Sequence, residues 1–293
     1  MGANREYKSS VFTTLFNDES NLLSLYNAVS GSDLPPDTPL EIATLEDVLF
    51  TDRRNDIAFV LEDKIVILLE HQSTINENMP LRMLIYIARV YEKLIDNEAI
   101  YKRNLLKIPK PDFIVLYNGT DPFPDEKMLY LSNAYKECPE ALARLGGSIE
   151  LEVRVININE GRNDAIIKNS DVLYGYVRFI GKIRENQKAG LDLKSAITTA
   201  TRDCIKEGIL VDFLKIHSSE VINMLTTEWN DEQARKVWEE EAREEGIEKG
   251  VDLSAEIMRE LLAKVPIEEI AARYHVSVVK VKQLQSVLKQ ISA

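Results

Sequence analysis

Three polar residues whose types suit metal-assisted chemistry flank two apolar runs of the chain. Asp56 comes immediately before the run 57–61, and Glu70 and Gln72 follow the run 65–69. Two carboxylates that lie close together are hard oxygen ligands of the kind that Mg²⁺ or Mn²⁺ prefers. A divalent ion activates water and stabilises the charge of a phosphoryl transition state. An amide two residues after the second acid suits the orientation of that water or a contact with the phosphate.

The two apolar runs predict a β-hairpin, and its register decides whether the carboxylates meet. Side chains alternate along a strand, so Glu70 and Gln72 share one face. If 62–64 forms a three-residue loop, Asp56 lies opposite Glu70, with Cβ atoms about 5 Å apart. If the loop has two residues, Asp56 pairs one position earlier and the carboxylates fall on opposite faces. A further interpretation involves no chemistry: Asp56 caps a strand, and Glu70 and Gln72 are exposed at a strand end.

The elements around the hairpin indicate an α/β domain followed by helices. Apolar residues at three- and four-residue steps predict a helix over 8–29, and a second amphipathic helix over 80–95 opens with proline. Strands besides the hairpin are indicated at 45–50, 113–117 and 151–158. We expect residues 8–160 to form a mixed sheet of four to five strands with the two helices against it. From 165 onward the pattern is helical.

Charge is unevenly distributed along the chain of 293 residues. The formal net charge is −12, from 36 basic and 48 acidic residues, which argues mildly against a nucleic-acid binder. The segment 228–249 has nine acids and four bases and supplies −5 of that charge. Because one connector supplies so much of the negative charge, the net charge is weak evidence against nucleic-acid binding. No apolar run approaches the roughly 20 residues of a transmembrane helix. The two cysteines are interpreted as packed thiols, and we expect a cytoplasmic protein without membrane association.

The C-terminal residues 267–289 fit a helix-turn-helix. Ile267 to Arg273 form the first predicted helix, and Ser277 caps the second after a short turn. His275 stands in that turn where glycine is commonest, and histidine tolerates a left-handed backbone. The small core is predicted to contain Ile270, Val276, Val281 and Leu284. The pattern suits a unit that reads or positions DNA; a helical hairpin that serves self-association, or simply ends the chain, is the alternative.

Four segments carry a resemblance to a known family: NDIAF at 55–59, LEHQST at 69–74, NENMPLR at 76–82 and YIARVYE at 86–92. Together with the turn at 117–119, they resemble the bacterial recombination-promoting nuclease and putative transposase family of the PD-(D/E)xK nuclease superfamily. The resemblance covers roughly residues 8–225. It implies a restriction-endonuclease-like mixed sheet flanked by helices, followed here by an all-α C-terminal region. It also implies a metal-dependent DNA endonuclease that hydrolyses phosphodiester bonds and is linked to recombination or mobile elements.

Carried over by position, the resemblance implies that Asp56 and Glu70 bind Mg²⁺ or Mn²⁺ and that both, with Gln72, are catalytic. Gln72 stands where the superfamily usually has lysine, so it offers hydrogen bonds and a dipole in place of a charge. Some superfamily members add an acid from the first helix. Asp18 and Glu19 lie near the middle of the predicted first helix, and no motif in the sequence decides whether either corresponds to that acid.

Arg82 and Arg89 lie on the helix after the site and share a face with Tyr86. Arg82 either contacts a DNA phosphate beside the metal or pairs with an acid at the edge of the core. Arg89 is interpreted as an ion-pair partner. Strand alternation places His71 on the face away from the carboxylates, so it is interpreted as structural.

The expected organisation has four parts: a nuclease-like core at 1–165, a helical extension packing on it at 166–227, an acidic helical connector at 228–249, and the helix-turn-helix-like segment at 250–293. DNA is the expected partner, and homo-oligomerisation stays open. Two alternatives to the endonuclease remain. One is a catalytically silent DNA-binding protein that works through the C-terminal helices, and the other is an oligomerisation or scaffold protein built on a nuclease fold.

Overall fold

The structure is a computed structural model that describes residues 10–42, 56–62, 64–70, 76–96, 98–136 and 149–291. Within these ranges lie the strands β1 (Leu40–Ile42), β2 (Asp56–Leu61), β3 (Lys64–Glu70), β4 (Lys110–Tyr117), β5 (Glu126–Tyr130) and β6 (Glu152–Asn157). The helices are α1 (Val11–Phe16), α2 (Glu19–Ser30), α3 (Met79–Leu94), α4 (Asp164–Lys168), α5 (Asp171–Lys188), α6 (Leu193–Lys206), α7 (Val211–Ile216), α8 (Ser218–Leu262), α9 (Ile267–Arg273) and α10 (Val278–Ile291).

The strands form one mixed sheet in the order β1-β2-β3-β4-β6-β5. The first three are antiparallel, α3 then crosses over so that β4 runs parallel to β3, β6 is parallel to β4, and β5 is antiparallel to β6. The predicted α/β class with a mixed sheet is therefore confirmed, although the described sheet has six strands where four to five were expected. Neither β1 nor β5 was predicted. The strand expected at 45–50 lies outside the described residues.

The helix expected over 8–29 is two helices in the described part of this segment. α1 ends at Phe16 and α2 begins at Glu19. Asp18 is the N-cap of α2, and its Oδ1 accepts the N–H of Asn21 at 3.0 Å. The expectation that Asp18 and Glu19 lie near the middle of a helix is therefore wrong. Because apolar residues keep their helical spacing on both sides of the break, the periodicity of the sequence does not reveal that α1 and α2 are separate helices.

Helices pack on both faces of the sheet. On one face, buried residues of α3 join strand residues in a single core that includes Met83, Tyr86, Val90, Ala58, Val115 and Val155. On the other face, the ring of Tyr26 from α2 lies against Phe59 of β2, with centroids 5.9 Å apart. Phe12 of α1 contacts Tyr176 of α5 at 5.4 Å between ring centroids. Because neighbouring residues such as 58 and 59 serve opposite cores, the central strands are apolar on both sides.

The chain divides into two compact units, the first through Glu228 and the second from Trp229. The acidic segment 228–249 lies within α8 and is helical. None of the helices in the described ranges has both the length and the apolar character of a membrane span. The four-part domain boundaries expected from the sequence stay a prediction.

The second unit contains the helix-turn-helix elements where the sequence places them. α9 begins at Ile267 and ends at Arg273, and His275 in the turn has a left-handed backbone with φ of 51°. The N–H of Lys280 donates to Oγ of Ser277 at 3.3 Å, which makes the expected cap of α10. The core of this unit contains the four expected residues, Ile270, Val276, Val281 and Leu284, and also Ile257 and Ala271.

Candidate functional site

The β2–β3 hairpin has a loop of two residues. Leu61 pairs with Lys64, and Asp56 pairs with Leu69. Glu62, the first loop position, has φ of 49°, the left-handed backbone that tight two-residue hairpin loops require. Of the two registers that the sequence left open, the structure has the two-residue loop, so Asp56 does not lie opposite Glu70.

Asp56 and Glu70 nevertheless lie at the same end of the hairpin. Asp56 is the first residue of β2, and Glu70 is the last residue of β3. Asp56 pairs with Leu69, the residue before Glu70. Because successive side chains of a strand alternate between faces, a regular pleat places Asp56 and Glu70 on opposite faces of the sheet. Both are terminal residues of their strands, where the regular pleat ends. A shared metal ion requires one of the two to depart from that pleat.

This end of the hairpin lies at the carboxyl-terminal edge of the sheet, which is the edge formed by the carboxyl ends of the parallel strands. Glu70 pairs with Leu116 of β4, and Tyr117 pairs with Asn157 of β6. The strands β3, β4 and β6 therefore reach their carboxyl ends side by side. In open α/β sheets, ligands bind in the crevice outside the carboxyl ends of the strands. The predicted acids thus lie at the edge where a ligand site is expected.

Arg82 lies near the start of α3, at the same edge of the sheet as Glu70. Glu77, just before α3, pairs with Lys127 at the beginning of β5 at 2.5 Å, and β5 starts at this edge because it is antiparallel to β6. Arg82 is half-buried, and its Nη1 donates to Sδ of Met79 at 3.4 Å. This placement suits a phosphate contact, and the assignment stays a prediction. Arg89 is exposed further along α3.

Arg184, for which the sequence gives no sign of a function, makes hydrogen bonds at the same edge of the sheet. Arg184 of α5 donates from Nη1 to Oδ1 of Asn118 at 3.0 Å and to Oδ1 of Asn159 at 2.6 Å, and from Nη2 to the carbonyl oxygen of Asn118. Asn159 in turn donates to the carbonyl oxygen of Gly119 at 2.9 Å and to Oδ1 of Asn157 at 3.0 Å. One guanidinium therefore joins the segments that follow β4 and β6.

Asn118 keeps a buried donor that has no acceptor among the described residues. Its side chain is 2% exposed, and its Nδ2 has no hydrogen-bond partner there. Because a guanidinium only donates, the amide oxygen must be the atom that accepts from Arg184. A buried unsatisfied polar group costs about 1–3 kcal/mol, so a ligand oxygen at this donor would be stabilising. A pocket of about 290 Å³ opens beside it, lined in part by Asn159, Glu160 and Lys188.

The remaining predicted site residues are placed only in part. Gln72 and His71 lie outside the described residues, and Asp56 and Glu70 are placed by their strand positions. Among the side chains that the structure describes, no group of three or more His, Cys, Asp or Glu is arranged to hold a metal ion. The two predicted metal ligands are not among those side chains, so their assignment stays a prediction.

Cys204 is a buried thiol of α6. Burial raises the pKa of its thiol to about 11, so at neutral pH the sulfur stays protonated and is a poor nucleophile. This supports the interpretation of Cys204 as a packed residue. Cys138 lies outside the described residues.

Comparisons of this chain with protein-family models, with curated proteins and with solved structures find no match. The resemblance to the recombination-promoting nuclease family is therefore a prediction carried by the sequence motifs at 55–59, 69–74, 76–82 and 86–92.

Proposed function

We propose that this protein is a divalent-metal-dependent DNA endonuclease that hydrolyses phosphodiester bonds. The observation that carries the proposal is the position of Asp56 and Glu70 at one end of the central hairpin, at the edge where the parallel strands finish. The family resemblance adds the restriction-endonuclease-like fold and the link to DNA recombination or mobile elements. A mixed sheet with helices on both faces is compatible with that fold.

The donor set suits the ion that the resemblance implies. Carboxylate oxygens are the ligands that Mg²⁺ and Mn²⁺ take in proteins, and Asp56 and Glu70 would supply them. When bound, the ion supplies positive charge that activates water and offsets the charge of the phosphoryl transition state. Two carboxylates would be few protein ligands for a divalent ion, so we expect weak Mg²⁺ binding.

Gln72 and Arg82 complete the proposed site. Gln72 follows Glu70 by two positions, and its amide would orient the attacking water by hydrogen bonding in place of the usual lysine. Arg82, near the start of α3 on the same side of the sheet, would contact the phosphate. Arg184 supports this edge through hydrogen bonds from its charged guanidinium to the neutral side-chain amides of the asparagines that follow β4 and β6.

A second candidate function is DNA binding without cleavage. The observation that favours it is the formed helix-turn-helix of α9 and α10 in the second unit. This function needs no metal and no contribution from Asp56 or Glu70, so the two candidates predict different behaviour in the presence of a chelator.

Nicking of supercoiled plasmid tests the proposal. We expect nicked circles in Mg²⁺ or Mn²⁺ and intact supercoils when EDTA is present, because hydrolysis depends on the ion. Calorimetry should show a heat of Mg²⁺ binding that an Asp56→Asn, Glu70→Gln double variant loses. DNA that is bound but never cut, with equal Mg²⁺ heats for both proteins, would favour the second candidate and contradict the first.

A further inference from the structure

The C-terminal end of the chain carries a charge opposite to that of the whole. Residues 270–293 contain four basic residues and no acid, in a chain whose net charge is −12. Lys280 and Lys282 are exposed on α10. Arg273 is held by two ion pairs, with Glu260 and with Glu269 at 2.8 Å, and so contributes less to the field outside. The unneutralised positive charge that the structure describes in this segment is therefore on α10.

One side of α10 is packed and the other is open. Val281 is fully buried in the core of the second unit, and Leu284 packs against the same core. At about 100° per residue, Val279, Gln283 and Ser286 fall within about 60° of arc on the opposite side, and all three are exposed. Lys280 and Lys282 border this arc on its two sides. The exposed face thus has a neutral centre and a cation along each border.

We propose that α10 is a recognition helix that binds the major groove of B-form duplex DNA. A helix in that groove faces base edges with its centre and the two phosphate backbones with its borders. Gln283 can pair with adenine in a bidentate manner, and Val279, which is 65% exposed, can contact a thymine methyl group. Lys280 and Lys282 would each contact a phosphate, which positions the helix without selecting sequence.

The charge pattern favours DNA over a second copy of this chain as the occupant. A two-fold pairing of α10 with itself would bring the lysines of both copies together, and like charges repel. The exposed acids nearest to α10 in sequence are Glu268 and Glu269 at the start of α9, and Glu269 is already paired with Arg273. A DNA phosphate that approaches α10 therefore meets Lys280 and Lys282, and α10 has no acidic residue that would neutralise them.

Fluorescence anisotropy with the full chain tests the phosphate contacts. The probe is a labelled mixed-sequence duplex about three helical turns long, in EDTA so that no strand is cut. Lys280→Ala/Lys282→Ala should weaken binding and reduce the slope of log affinity against log salt by about 0.9 for each lost contact. Lys194→Ala/Lys215→Ala removes the same charge from exposed sites in the first unit and should leave both quantities unchanged. Lys280→Arg/Lys282→Arg should restore binding.

Selection from a randomised duplex pool tests the base contacts. The wild-type chain should enrich a preferred site, and Gln283→Ala should lose preference at one position by roughly 5- to 150-fold while keeping the salt slope. The proposal is overturned if the full chain does not bind duplex, or if the Lys280/Lys282 variant and its control bind alike. It is also overturned if Val279→Lys changes the oligomeric state without changing DNA affinity, because α10 would then be a protein interface.

This inference is separable from the proposed endonuclease. Asp56→Ala should abolish nicking and leave the α10-dependent affinity and salt slope intact, since the two features belong to different units of the chain. Loss of binding on Lys280/Lys282 replacement without any nicking activity would support α10 and contradict the endonuclease. The reverse pattern would support the endonuclease and contradict α10.

Discussion

Arg184 holds Asn118 by both its side chain and its main chain, although the two residues are 66 positions apart. The contact ties α5 to the end of β4, beside the strand that ends in Glu70. The edge that carries the candidate site is therefore supported by a residue of the helical region, outside the segment where the acids lie.

Replacing Arg184 should destabilise the first unit. Arg184→Ala leaves the amide and carbonyl oxygens of Asn118 without their donor, and we expect the free energy of unfolding to fall by about 1.5–3 kcal/mol. Arg184→Lys should recover only part of this, because an ammonium cannot reproduce the guanidinium fork. Urea denaturation at equilibrium measures the change. Lys188→Ala, at an exposed site on the same helix, should stay within about 0.5 kcal/mol; equal effects of the two alanine variants would contradict this role.

Asp18 should stabilise α2 in a pH-dependent way. Hydrogen bonds from the Ser20 hydroxyl and then from the Asn21 N–H hold the pKa of the Asp18 carboxyl below its usual value. A lowered pKa means that the stabilisation is complete above the unfolded pKa and is lost as pH falls through the folded pKa. Asp18→Ala should therefore cost about 1 kcal/mol near neutral pH, and the difference from wild type should become smaller in acid. Asp18→Asn, which caps without titrating, should show no such trend; a pH-independent cost of Asp18→Ala would contradict the assignment.

The hairpin shows how much of the fold the sequence could predict. Its two apolar runs predicted both strands of the hairpin, but they did not decide between a loop of two residues and a loop of three. Lys64 belongs to β3 because its Nζ pairs with Asp112 of β4 at 2.7 Å and donates to the hydroxyl of Tyr26 at 2.9 Å. These partners are distant in sequence, so a local pattern cannot reveal that a charged residue lies in the strand.

The difference between local patterns and contacts distant in sequence also explains which other elements the sequence predicted and which it did not. The helix-turn-helix was predicted to the residue at α9 because its signals are local: apolar spacing, a residue that tolerates left-handed φ, and a serine cap. β1 has three residues, and β5 buries only Leu129, so neither produces an apolar pattern. Arg184 has no motif of its own. Its partners become neighbours only when the parallel strands align, so the sequence offered no route to it.

Ile270→Ala should loosen the second unit. Ile270 is fully buried, and a cavity left by a large aliphatic side chain typically costs about 2–5 kcal/mol. Hydrogen exchange of the α10 amides should become faster by the corresponding factor. Val279→Ala, at a site 65% exposed, should change exchange little. Unchanged α10 protection in Ile270→Ala would show that the small core does not hold this helix.

Gln72 should affect the rate of cleavage more than DNA affinity. If its amide orients water mainly in the transition state, Gln72→Ala should slow cleavage about 10²- to 10³-fold with little loss of binding. Gln72→Lys introduces the residue that the superfamily usually has, and activity should survive. Wild-type cleavage by Gln72→Ala alongside an inactive Glu70→Ala would mean that the third group lies elsewhere, with Arg82 the next residue to test.

The most direct test of the endonuclease is plasmid nicking in Mg²⁺ by three carboxylate variants compared in parallel. Asp56→Ala and Glu70→Ala each remove one proposed metal ligand, and Glu152→Ala removes an exposed carboxylate at the opposite end of the same sheet. We expect the wild type and Glu152→Ala to nick DNA at equal rates and the first two variants not to nick it, with all four proteins equally folded and equally able to bind DNA. Undiminished nicking by Asp56→Ala or Glu70→Ala would contradict the proposed endonuclease.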